Sequence, residues 1–143
     1  MHRYDVLILG SGLAALTTAL KLADQRRIAI VTKRQMTDGA SDWAQGGIAA
    51  AVDSGDSIEA HVHDTLVAGA GLCDEAITRM VASQAREMIA WLTRNGVAFT
   101  PDPQVPGGLH LAREGGHSRR RVVHAADATG HAVQSSLIDR VRA

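Results

Sequence analysis

The stretch from Tyr4 to Lys33 constrains this chain more than any other. It reads YDVLILGSGLAALTTALKLADQRRIAIVTK. Val6 to Leu9 is a short apolar run that stops at Gly10. Gly10, Gly12 and Ala15 then fall at the spacing of a glycine fingerprint, with alanine in the last place. Ala14 to Ala23 carries helix formers without Gly or Pro, and Ile28 to Val31 is a second apolar run. Strand, tight turn, helix and strand within about thirty residues is what a dinucleotide-binding βαβ unit requires. Gly10 permits the sharp turn, Gly12 lets a pyrophosphate approach the backbone, and Ala15 is small enough for helix to meet strand. The helix N-terminus adds unpaired N–H groups and the positive end of its dipole. The fold class is therefore α/β, a Rossmann-like βαβ nucleotide-binding domain. An acidic residue usually ends the second strand and binds a ribose hydroxyl. Thr32, Lys33 and Arg34 stand there instead, so the fingerprint alone does not separate NAD, NADP and FAD.

With 143 residues the chain is long enough for one domain with a core. Fifteen basic and fifteen acidic residues cancel, so no global field recruits nucleic acid or anionic lipid. Aromatics at 3% argue further against base-stacking surfaces. The single cysteine, Cys73, allows no internal disulfide and suits a reducing compartment. No stretch approaches a membrane span, and the start is too short in apolar residues for a signal peptide. These features point to a cytoplasmic protein.

Beyond Lys33, the segment to Asp56 lacks helical periodicity and is punctuated by Gly39, Gly46 and Gly47. A loop of that length in a compact domain is usually functional. Gly46-Gly47 is either a simple turn or backbone held close to a ligand, with a short strand over Ile48 to Val52. Asp56 and Glu59 form a capping box for a helix ending near Gly69 or Gly71. His61 and His63 on that helix point in different directions, so they do not share a metal ion, and with Asp64 they are read as solvated. From Asp74, Ile77, Met80, Val81, Ala85, Met88, Ile89 and Leu92 make an inward stripe that Asn95-Gly96 stops. Val97 to Phe99, Leu109 to Leu111 and Arg121 to His124 are expected strands. Arg119-Arg120-Arg121 reads as a solvated charge run. His110, His117, His124 and His131 fall seven apart, but glycines forbid one helix across them. Thr129 is expected to cap a last helix whose Val133, Leu137, Ile138 and Val141 face inward.

Four stretches carry a resemblance: GSGLAAL near the start, AQGGIAA at Ala44 to Ala50, DTLVAGAGLCD at Asp64 to Asp74, and REGGHSRRRVVHAADATG at Arg113 to Gly130. Together they resemble the L-aspartate oxidase family, flavoenzymes of the succinate dehydrogenase and fumarate reductase flavoprotein superfamily. The resemblance implies noncovalent FAD and oxidation of L-aspartate to iminoaspartate. Oxygen or fumarate would be the electron acceptor, at the first step of NAD synthesis through quinolinate, with quinolinate synthase a candidate partner. By position, Gly10, Ser11, Gly12, Leu13 and Ala14 would face the FAD pyrophosphate. Lys33 would make the contact that ends the second strand. Ala40, Ser41, Asp42, Trp43, Ala44, Gln45, Gly46 and Gly47 would line the flavin, and Glu114 would bind substrate. Membrane-bound relatives carry a flavin-linked histidine just ahead of their AQGG; Ala40 stands there here.

The resemblance also implies a larger protein. Residues 1–143 would be the N-terminal part of an FAD-binding domain, with the rest of it, a capping domain and a helical domain elsewhere. The proton-transfer arginine would lie beyond residue 143, so no catalytic residue is expected within the chain and the chain alone is expected to be inactive. Two other readings remain open at this point: a soluble fumarate reductase or succinate dehydrogenase flavoprotein, and a nucleotide-binding module without chemistry.

Overall fold

The computed structural model describes residues 3–143. The expected βαβ unit forms. Strands β1 (Val6–Leu9) and β2 (Ile28–Val31) pair in parallel, with Val6 opposite Ile28 and Leu9 opposite Val31. Helix α1 (Leu13–Leu22) connects them and buries Leu16 and Ala19. Because the strands are parallel, the turn after β1 and the residues after β2 meet at the same end of the sheet, tied by the Gly10 N–H donating to Val31 O at 2.8 Å. Leu7, Leu9 and Val31 remain largely exposed on this sheet.

A second, antiparallel sheet has the order β3-β5-β4, built from β3 (Ile48–Ala49), β4 (Leu111–Ala112) and β5 (Val122–Val123). Helices α2 (Ile58–Ala68) and α3 (Glu75–Arg94) pack on each other, and α4 (Thr129–Arg142) packs on α1. One core joins these parts: Leu16, Ala50, Ile89, Leu92, Val97, Phe99, Val123, Val133, Leu137 and Ile138 are all buried together. Each fully buried Val, Leu, Ile or Phe side chain contributes roughly 1.5–3 kcal/mol.

Several expectations need correction. The inward stripe of α3 holds for Ile89 and Leu92, but Ile77, Met80 and Val81 are about half exposed. A helix of twenty residues is about 30 Å long, and its burial begins only at Ala82. Val97 and Phe99 are buried without forming a strand. Their segment is anchored instead by Thr100, whose N–H donates to His124 O. The strand expected over Ile48 to Val52 is only two residues long. Thr129 does not cap α4; it is the first helical residue, and its hydroxyl accepts the Ala125 N–H. Asp56 does not cap α2 either. Ser57 does, accepting the Ala60 N–H, because the Asp56 carboxylate is committed elsewhere. His110 and His124 do touch, at 2.8 Å, because the β4–β5 register sets them side by side. The seven-residue spacing plays no part.

Candidate functional site

The turn between β1 and α1 has the form the fingerprint anticipates. Gly10 has φ +106°, a conformation that favours glycine. A Cβ on Gly10 would meet nothing within 4 Å, and one on Gly12 would meet only Ser41 Oγ, at 3.9 Å. The space in front of this turn is therefore free of the chain's own atoms. Ser11 is buried, and its hydroxyl donates to Met36 O at 3.1 Å. Lys33 is exposed just past β2, at the same end of the sheet. A pyrophosphate fits here: it would be met by the helix N-terminus, with Lys33 nearby as a cation.

Residues 40–43 form a 3₁₀ turn against α4 that the sequence did not announce. The N-terminus of α4 holds it. The Gly130 N–H donates to Ala44 O at 2.8 Å, and His131 Nδ1 pairs with Asp42 Oδ1 at 3.0 Å. Trp43, Ala44, Gln45, Gly46 and Gly47 follow as an exposed edge, Trp43 being 79% exposed. At Gly47 the close approach is to protein: a Cβ would lie 2.4 Å from Val123 O and 2.5 Å from Val122 Cγ1. That glycine is needed to seat the loop on β5. At Gly46 a Cβ would lie 3.7 Å from Glu114 Oε1. The loop of the β4–β5 hairpin thus brings Glu114 to the segment expected to line the flavin.

Two groups escaped sequence reasoning. The first is Gln134 on α4, which is fully buried. Its Nε2 donates to Ser11 O at 2.6 Å and to Met36 O at 3.0 Å, binding the glycine turn to the loop after β2. A polar residue between the inward Val133 and Leu137 was the available signal.

The second is an ion cluster. Arg121, read as solvated, is 0% exposed. Its Nε and Nη2 reach both oxygens of Asp56, at 2.7 and 2.9 Å, and its Nη1 reaches Asp64 Oδ2 at 2.7 Å. Asp64, also read as solvated, is buried and accepts from Ser118 N and Oγ, each at 2.7 Å. Burial pushes the Asp64 carboxyl up, but the Ser118 donors and the Arg121 guanidinium outweigh it and hold it far below the ordinary carboxylate range. Asp56 is lowered by the same contest, with burial opposed by Arg121 and the Ser57 N–H. His61 is lowered by burial first and by the Arg121 charge second.

All three groups have folded pKa values below their unfolded ones, so each favours the fold above its unfolded pKa and loses that contribution as pH falls. The unfolded values are about 6.5 for His and 3.9 for Asp. The urea midpoint, followed by tryptophan fluorescence, should be level above about pH 7, decline below about pH 6.5 and drop steeply below about pH 4. A midpoint unchanged down to pH 3 would show that the cluster contributes nothing.

A surface cleft of about 870 Å³ is lined by Val52 to Asp56, Asp102 to Val105 and Gly108 to Leu111, with Arg119 and Arg120. It contains no residue of the glycine turn, so the geometry of the turn and of Glu114 is the better guide to function. No helix among the described residues is long and apolar enough to cross a membrane.

A βαβ turn open to an anion, with the 40–43 turn held near it by α4, defines a class of nucleotide-binding protein. The FAD binding domain family matches residues 5–143, and this chain belongs to it. Within that family it is similar to L-aspartate oxidases. It is 60% identical over 140 residues to L-aspartate oxidase 1 of Ralstonia nicotianae, covering 98% of this chain and 26% of that protein. It is 49% identical to the L-aspartate oxidase of Pseudomonas aeruginosa, covering 99% and 27%. The chain thus spans about a quarter of the length of the curated relatives it matches. Among solved structures it resembles the Escherichia coli quinol fumarate reductase FrdA, with TM-score 0.88 and 27% identity over 99% of this chain and 24% of that one. It also resembles the Mycobacterium smegmatis Sdh1 complex, with TM-score 0.87 and 29% identity over 95% and 23%. The incomplete Rossmann-like fold is that of the FAD-binding domain in these flavoproteins.

Proposed function

We propose that this chain is the cofactor-gripping part of an L-aspartate oxidase. The whole protein would oxidise L-aspartate to iminoaspartate, with oxygen or fumarate as acceptor, at the start of NAD synthesis through quinolinate. One observation carries the choice of substrate: the Glu114 carboxylate stands beside Gly46 on the segment assigned to the flavin. L-Aspartate is succinate with an added ammonium group, and a carboxylate recognises that charge through a charge-assisted hydrogen bond. The similarity to L-aspartate oxidases supports the same reading.

In this proposal Gly10, Ser11, Gly12, Leu13 and Ala14 hold the FAD pyrophosphate, and Lys33 meets the cofactor past β2. Ala40, Ser41, Asp42, Trp43, Ala44, Gln45, Gly46 and Gly47 flank the flavin. FAD is held noncovalently, since Ala40 occupies the place where a flavin-linked histidine would stand. Bound FAD would take up the two electrons released as the amine of aspartate becomes an imine. Glu114 holds the substrate ammonium and so orients the carbon that is oxidised. The remainder of the FAD domain, the capping and helical domains and the proton-transfer arginine are assigned to the rest of the protein, and residues 1–143 alone are expected to be inactive. The working compartment is taken as the cytoplasm, where a lone thiol such as Cys73 stays reduced, and quinolinate synthase as a partner receiving the unstable product.

Glu114→Gln in the complete protein tests this. Losing the charged partner of the ammonium removes roughly 1.5–3 kcal/mol, so kcat/KM for aspartate oxidation should fall by about ten- to a hundredfold. Fumarate reduction involves no ammonium group and should change far less. Equal losses in both activities, or none in either, would sink the assignment.

A further inference from the structure

The loop that carries Glu114 is held in a specific way. Residues 114–117 form a tight turn in which the His117 N–H donates to Glu114 O at 3.2 Å, and Gly116, at φ +83°, supplies its left-handed position. Residues 113–116 are exposed, and beneath them lies a cleft of about 370 Å³ lined by Asp64, Thr65, Ala68, Gly69, Cys73 and the turn itself. Packing from below therefore does little to fix the turn. What fixes it is the next residue: Ser118 gives both its N–H and its hydroxyl to Asp64 Oδ2, at 2.7 Å each. Asp64 is in turn immobilised by the buried Arg121, which Asp56 grips with both oxygens. The ring of His117 lies edge-on to His61 of α2, with centroids 6.1 Å apart, adding a second point of attachment to the same helix.

We infer that Asp64 and Ser118 are positioning residues that set where the Glu114 carboxylate stands, and thereby how well the site distinguishes an amino acid from a dicarboxylic acid without the amine. The inference rests on the reading of Glu114 given above. Neither residue touches substrate in this scheme. Ser118 transmits the rigidity of the ion cluster to the turn, and the turn aims Glu114.

Ser118 is exposed, so Ser118→Ala removes the hydroxyl tether without opening the core. In the complete FAD-loaded protein, KM for L-aspartate should rise about fivefold or more, as expected for loss of a hydrogen bond to a charged acceptor. The value of kcat/KM for fumarate reduction should stay within about twofold, and Ser118→Thr, which keeps the hydroxyl, should restore the aspartate KM. An unchanged aspartate KM in Ser118→Ala, or equal losses with aspartate and fumarate, would overturn the positioning role. Glu114→Gln run alongside separates the two claims. If Glu114→Gln destroys the preference for aspartate and Ser118→Ala does not, the tether idea alone fails. If Glu114→Gln leaves the preference intact, the substrate assignment fails and the tether role falls with it.

Discussion

Arg121→Ala is expected to be the most damaging single substitution in the chain. It would leave the Asp56 and Asp64 side chains, 1% and 9% exposed, facing each other without their shared cation. Breaking a buried ion pair from one side typically costs about 3–5 kcal/mol, against a total stability of roughly 5–15 kcal/mol. The complete protein carrying Arg121→Ala should therefore accumulate unfolded or melt far below wild type. Arg121→Lys keeps the charge but not the two-pronged grip on Asp56, and should fall between the two. Replacing Arg121, Asp56 and Asp64 together with apolar residues of matched size should recover much of the loss, because no charge is then stranded. An Arg121→Ala protein whose urea midpoint matches wild type would show that water reaches the carboxylates and that the cluster is not a structural keystone.

Gly130→Ala should also be costly, against the usual trend. Within helices, alanine is ordinarily better than glycine by roughly 0.5–1 kcal/mol. Here the added Cβ would lie 2.1 Å from Ser41 O and 2.7 Å from Ala44 O. Both obstacles are backbone, so neither can rotate away. The N-terminus of α4 must withdraw, breaking the Gly130 N–H bond to Ala44 and loosening the segment assigned to the flavin. The expected cost is about 1–3 kcal/mol, seen as a lower Tm and a reduced flavin absorbance per protein after purification. A variant that melts at or above wild type with full flavin would refute this packing.

The βαβ unit was legible in the sequence because its determinants are local. An apolar run, glycines at fixed spacing and an uninterrupted helix each act within a few residues, and the observed elements match them closely. A substrate role for Glu114 was an expectation from resemblance alone, since nothing local distinguishes it from a solvated loop glutamate, and its placement beside Gly46 was not legible at all. Arg121 was misread for a related reason. Three consecutive arginines look alike in sequence, and only the β5 register decides that the third points inward, onto carboxylates 57 and 65 positions away. Asp56 shows the same limit: its spacing to Glu59 suits a cap, but a distant guanidinium outbid the helix N-terminus for its oxygens. The outer end of α3 shows the converse, with apolar periodicity intact but Ile77, Met80 and Val81 left about half exposed among the described residues.

The bond from Gln134 to Ser11 spans 123 positions. Contacts between residues so far apart form late, because the chain between them must first be ordered. A ribosome delivering this protein has released the glycine turn long before it makes α4, and a nascent chain shorter than 134 residues lacks that bond. The Ser11 carbonyl held by Gln134 belongs to the same peptide group as the Gly12 N–H, and in a trans peptide the two point in opposite directions. Fixing one therefore aims the other. The N–H assigned to the FAD pyrophosphate is thus brought into order by a helix 123 positions further along the chain, which ties cofactor capture to the appearance of α4.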